Sequence, residues 1–370
     1  MTSPRGLESA RRPRRSGSAA AAAAVAAGVV AAALTLSGCA PSATPAKAPA
    51  PSATPTAQAA PLFRGQPADY IPAAGLRWMV VARPAELLAD QAVRDALKTL
   101  IPDARLNHFM TSSGVNPSAV SAAAIAGFDY ATLYLALVGE EDALIEEKFS
   151  KRLLSAKKRQ HPHPELWRVT GVIGQTPQTL VRLDQYLIGV SVGDPTPAKV
   201  VDAFARRKLK KSPPALKGAA LKQLPAELAA APLCFYAPGP FNGEWTQGAR
   251  GLLANAVAVG ISMRPLAGSN AGVGRFTLYL SGDWAAVGPD STARLMDAWD
   301  ELSSSSTGAL FGLDRLTSKP VVSGGKDLLK LEIDIHLGRL LSGLHAAVAA
   351  DVNELMQLEP TPSSEPDALP

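Results

Sequence analysis

Residues 166–192, LWRVTGVIGQTPQTLVRLDQYLIGVSV, decide the architecture. Strand-like apolar runs follow one another here with turns too short to hold a helix between them. Consecutive strands joined so tightly must pair antiparallel, because a parallel return needs a crossover of a dozen residues or more. Segments with helical spacing flank this meander. The expected class is therefore α+β, with antiparallel sheets and helices packed on one face.

Working outward, the chain repeats itself. VGDPTPAKVVDAFARR, from Val192, aligns with VGPDSTARLMDAWDEL, from Val287, at a constant offset of 95 residues. Asp202-Ala203-Phe204 falls on Asp297-Ala298-Trp299, and each copy follows a strand-like run. Each also carries a Thr or Ser placed to cap a helix, Thr196 and Ser291. Val200, Val201 and Phe204, like Leu295, Met296 and Trp299, form an apolar helical stripe. This spacing predicts helices over 197–211 and 291–303, each superimposable on the other together with its preceding strand. A fainter echo links YIPAAGLRWMVVARP, from Tyr70, with QLPAELAAAPLCFYAPG, from Gln223. Two related halves are expected, 68–222 and 223–358, with a closing strand LLKLEIDIHL and an amphipathic helix carrying Leu341, Leu344, Val348, Val352 and Leu355.

The N-terminus reads differently. Five arginines before residue 16 lead into an apolar, alanine-rich run from Gly17 to Leu36, then Leu36-Ser37-Gly38-Cys39. This order resembles a bacterial lipoprotein signal peptide with its lipobox. The resemblance covers about the first tenth of the chain. It implies a leader over 1–38, cleavage before Cys39, and fatty acylation (diacylglyceryl and palmitate-type) of the Cys39 sulfur and amino group. An uncleaved membrane helix is the competing reading, since about 20 apolar residues can span a bilayer. Two or more acyl chains hold a protein at a membrane far better than one. Ala40 replaces the Asp that in this family retains a lipoprotein at the inner membrane, which favours the outer membrane and a periplasm-facing body where the cell has one. Residues 39–67 contain seven prolines from Ala40 onward and few charges, a composition for a disordered tether. Fully extended it would reach roughly 85 Å at about 3.1 Å per residue. The tail 359–370 is of the same kind. In its duplicated α+β arrangement the folded part resembles domains of uncharacterised envelope lipoproteins, which implies a fold and no activity.

The formal net charge of +5 is misleading as a whole-chain number, because the leader holds five arginines against Glu8. The informative feature is regional: residues 148–222 hold 16 Lys and Arg against four acids. The cluster includes Lys157, Lys158 and Arg159, then Arg206, Arg207, Lys208, Lys210 and Lys211. These eight residues are the candidate contact for an anionic lipid, a cell-wall polymer or an acidic envelope protein. Nucleic acid is not an expected partner, since no aromatic–basic interleaving accompanies the cluster.

Catalytic patterns are sparse, and the expected role is non-enzymatic binding or scaffolding. Gly189-Val190-Ser191-Val192-Gly193 matches the nucleophile-elbow pattern, but Asp194-Pro195-Thr196-Pro197 intervenes before any helix and Ala286 stands at the repeat-equivalent position. Glu332, Asp334 and His336 alternate along LEIDIH and so share one strand face, a possible metal or acid–base cluster as well as an ordinary wet face. A hydrolase using Ser191 or a metal near those three residues is thus the alternative function. A small-ligand-binding or chaperone-like role is a further one. His161 and His163 lack the companions of a structural zinc site. No cofactor pattern is present. Cys234, in an apolar strand-like run, is expected to be a small buried core residue.

Overall fold

The structure, a computed structural model, describes residues 65–138, 142–160, 167–183, 186–205 and 213–357. Cys39, the leader, most of the tether, the tail, His161, His163, and the run Arg206, Arg207, Lys208, Lys210 and Lys211 lie outside the described residues.

In chain order the first half comprises β1 (Leu76–Ala82), α1 (Pro84–Ala89), α2 (Gln91–Leu100), α3 (Asp103–Ser113), β2 (Ala122–Phe128) and β3 (Ala131–Leu137). There follow α4 (Asp142–Arg152), β4 (Leu154–Gln160), β5 (Trp167–Ile173), β6 (Thr176–Arg182), β7 (Leu187–Gly193) and α5 (Thr196–Ala205). The second half comprises α6 (Ala226–Ala229), β8 (Leu233–Pro238), β9 (Ala256–Pro265) and β10 (Val273–Gly282). It ends with α7 (Trp284–Val287), α8 (Ser291–Ser304), α9 (Ser306–Leu310), β11 (Val321–Gly324), β12 (Leu328–His336) and α10 (Leu337–Gln357).

The twelve strands among the described residues form one sheet, ordered β11-β12-β10-β9-β8-β1-β2-β3-β7-β6-β5-β4. Every pairing is antiparallel. The opening meander is β5-β6-β7, as its short turns require. The two halves meet at a seam where Val81 of β1 faces Cys234 of β8. The fainter echo in the sequence marks these two seam strands.

Register carries one row of side chains across the whole sheet: Arg159, Arg168, Val181, Gly189, Leu135, Ala124, Val81, Cys234, Ser262, Thr277, Glu332 and Val321. Period-two alternation puts all twelve on one face, called the upper face below. The row is basic at one end, apolar in the middle and polar at the other.

The α+β class with an antiparallel sheet holds, and the layering is finer than one helix face. The lower face carries α2, α4, α8 and α10: Phe149 packs on Trp167, Val169 and Leu180, and Trp299 and Leu295 on Val259, Leu280 and Leu329. The upper face over the seam and first half is covered by α5, through Ala198 and Val201, by Leu228 of α6, and by short 3-10 turns at Pro67–Tyr70, Ala215–Lys217 and Leu221–Gln223. Burying a leucine such as Leu133 or Leu187 in this upper core contributes about 1.5–3 kcal/mol.

The 95-residue match does not mark equivalent places. It lays β7 on residues 282–288, the last residue of β10 and the short helix α7, and the strands that precede the two helices stand at different depths, β7 fourth from the seam and β10 third. The helices that follow also part company, α5 packing on the upper face and α8 on the lower. They cannot superimpose together with their strands. What recurs is local: Gly193 and Gly288 both hold positive φ, +89° and +110°. At Gly193 a Cβ would lie 2.3 Å from the Tyr130 carbonyl oxygen, so glycine is required there. The Val-Gly turn leads into a helix in both places, from strand β7 in the first and from helix α7 in the second, and the expected caps Thr196 and Ser291 are instead the first residues of their helices.

Candidate anionic-partner interface

The order of the strands places Lys157, Lys158 and Arg159 at the far end of the sheet. β4 is its outermost strand, and Lys157, Lys158 and Arg159 are all exposed on it. Strand alternation divides them. Lys158 stands opposite Val169, whose side chain belongs to the lower-face core under α4. There its ammonium lies 2.5 Å from a Glu146 carboxylate oxygen and 5.4 Å from the centre of the Trp167 ring. Its charge is already matched. Lys157 and Arg159 point to the upper face, opposite Thr170 and Arg168. Among the described residues neither makes an ion pair.

Arg168 escaped the sequence reading. It sits between Trp167 and Val169, the two apolar residues that announce the strand, and alternation alone turns it to the upper face beside Arg159. Strand periodicity was the signal that could have found it. On the same face, Val181 of the neighbouring strand packs with Ala198 and Val201 of α5, and Lys199 on that helix is exposed. The basic run beginning at Arg206 continues directly from α5 in sequence.

The catalytic candidates have other tasks. Ser191 is fully buried under α5, and its hydroxyl donates to the Asp194 carbonyl at 2.9 Å. Asp194 in turn accepts from the Thr196 hydroxyl at 2.7 Å and the Thr196 backbone N–H at 2.9 Å, and these bonds hold its carboxyl below the ordinary carboxylate range. The motif serine fastens a strand-to-helix turn and has no route to a substrate.

Glu332 and Asp334 do share the upper face, with His336 exposed at the strand end. Asp334 accepts from Arg275 Nε and Nη2 at 2.8 and 3.0 Å, and from the Ser318 hydroxyl at 3.0 Å. The Arg275 bonds lead in holding the Asp334 carboxyl below its usual range. Lys330 lies 3.2 Å from Glu332 and 3.5 Å from Glu227, which also accepts from the Tyr279 hydroxyl at 3.0 Å. Asp334 and Glu332 are committed to cations of their own strand pair, and Glu227 of α6 shares Lys330 with Glu332. Among the described residues no group of three His, Cys, Asp or Glu side chains is placed to hold a metal.

Cys234 is 1% exposed, with its sulfur 2.9 Å from the Leu228 carbonyl oxygen and 3.2 Å from that of Ala231. Burial pushes the thiol's pKa up, which removes the thiolate a reactive cysteine needs.

Comparison with protein-family models, with curated proteins and with solved structures finds no match to this chain.

Proposed function

We propose that the chain is a lipid-anchored cell-envelope protein whose folded body binds an anionic partner and performs no catalysis. The anchor is acylated Cys39, and the tether from Ala40 lets the body work at a distance from its membrane, the outer one where the cell has two. The observation that supports binding is electrostatic: Lys157 and Arg159 project from the outermost strand, unpaired among the described residues, onto the face that α5 packs on, and five more cations follow α5 in sequence. The buried, hydrogen-bonded Ser191 and the ion-paired Asp334 support the non-enzymatic half of the reading.

Two measurements test it together. Palmitate labelling in cells should mark the wild-type chain and not the Cys39→Ala variant. The purified chain should associate with anionic vesicles, cell-wall fragments or acidic envelope proteins at low salt and release as salt rises. A chain that carries no acyl group and shows no salt-dependent association with any of these would end the proposal.

A further inference from the structure

Resting on that reading, the register of β4 against β5 narrows the partner. Arg159 and Arg168 are direct cross-strand neighbours, and Lys157 is two residues along the same strand face. Cβ atoms of such opposite pairs lie about 4.5–5.5 Å apart, close enough that like charges destabilise the sheet. Positive residues on an outermost strand can be explained as guards against edge-to-edge pairing. That explains Lys157 and Arg159. It does not explain Arg168, which lies on the penultimate strand with both neighbours in place. A cost carried by the folded state, with no carboxylate supplied among the described residues to relieve it, is the mark of a site completed by an external anion.

We infer that Lys157, Arg159 and Arg168 form a binding surface for the phosphate groups of anionic lipid headgroups. Guanidinium groups match phosphate oxygens with two parallel hydrogen bonds, and two of them side by side suit this anion better than a single carboxylate. The cations stand on an open strand face, two of them exposed and Arg168 half-buried, so the geometry fits a plane of headgroups rather than an enclosed small molecule. Lys158, turned to the lower face and paired with Glu146, is excluded from the surface.

The test uses the full chain carrying Cys39→Ala, so that no fatty anchor contributes, and vesicles of phosphatidylglycerol mixed into phosphatidylcholine against phosphatidylcholine alone. The readout is the ratio of binding to the two. Arg159→Gln and Arg168→Gln should each lower that ratio about fivefold and the double variant about 25-fold, while Lys158→Gln changes it less than twofold. Equal losses from all three positions would mean diffuse attraction, overturning this site while leaving the broader anionic-partner reading intact. Losses only on neutralising Arg206 to Lys211 would do the same. No preference for the anionic vesicles in the parent chain, with retained binding to cell-wall fragments, would overturn the lipid assignment alone. Displacement from vesicles by inorganic phosphate at matched ionic strength would reassign the site to a soluble anion and overturn it as a headgroup surface. Circular dichroism of each variant should match the parent, since none of the three side chains supports the core.

Discussion

The two wings of the sheet are built alike and finished differently. From the seam each runs outward through three strands to a fourth that returns from further along the chain, β1-β2-β3-β7 on one side and β8-β9-β10-β12 on the other. After β7 the chain crosses to the upper face as α5, whereas after β12 it turns to the lower face as α10 and packs beside α2. The upper face of the first wing is therefore roofed and apolar near the seam, with bare cations beyond the roof. The upper face of the second wing is more polar, with Ser262, Thr277 and Asp334 buried on it, and its charges neutralise one another: Arg275 with Asp334, Lys330 with Glu332 and Glu227. On the same face of the same sheet, one end satisfies its ions internally, and at the other Lys157 and Arg159 have no ion pair among the described residues. The proposed binding role rests on that contrast.

The contrast can be stressed at positions in the single row that crosses the sheet. Leu135, 1% exposed beneath the first-wing roof, and Thr277 of the second wing occupy the same row on opposite sides of the seam. Leu135→Ala should cost about 3 kcal/mol in denaturant unfolding, and Thr277→Ala under about 1 kcal/mol. Similar costs at both would mean the wings are packed alike after all.

Next in size is the second wing's internal pair. Asp334→Ala should cost about 2 kcal/mol, because it removes charge-assisted hydrogen bonds and the anchor of Ser318. The sign of its pH dependence follows from the depressed carboxyl. Its stabilisation is complete above the unfolded carboxylate range, about pH 4, and is lost as pH falls toward the lower folded value. Acid titration of stability should therefore be shallower in Asp334→Asn than in the parent.

The smallest expected effect has the opposite sign. Arg168→Gln should stabilise the fold by about 0.2–1 kcal/mol, since it relieves the repulsion with Arg159. A loss of stability there would show that Arg168 serves the fold, and the contrast between the wings would lose its functional meaning. Cys234 offers a check on the seam itself. Its thiol should resist labelling in the native state and react only as the protein unfolds, and fast native labelling would contradict the packed seam.

Much of the fold was legible because its signals are local. Short turns between apolar runs forced the β5-β6-β7 meander, and alternation in LEIDIH set Glu332 and Asp334 on one face. Helix 291–303 was readable from its Leu295, Met296 and Trp299 stripe, and the observed α8 matches it to within a residue, although Ser291 is its first residue and Asp290 holds the cap position without a side-chain cap hydrogen bond. The repeat misled for the same reason that these succeeded. Val-Gly with Thr or Ser three residues after the glycine encodes a positive-φ turn into a helix, and nothing in it says whether a strand or a helix comes before the turn or which face the helix after it will take. The site divided likewise. Lys157 and Arg159 were visible as charge, but the departure of Lys158 to Glu146 and the arrival of Arg168 depend on pairing between strands, which single-strand reading leaves out. Ser191 looked like a nucleophile in one dimension, and only the packing of α5 shows its hydroxyl turned to the Asp194 carbonyl.

Hydrogen–deuterium exchange of the full chain, with and without phosphatidylglycerol vesicles, tests the central contrast most directly. The account predicts added protection in 154–160 and 167–173, with β11 and β12 unchanged. Protection confined to β11 and β12, or none anywhere at low salt, would contradict it.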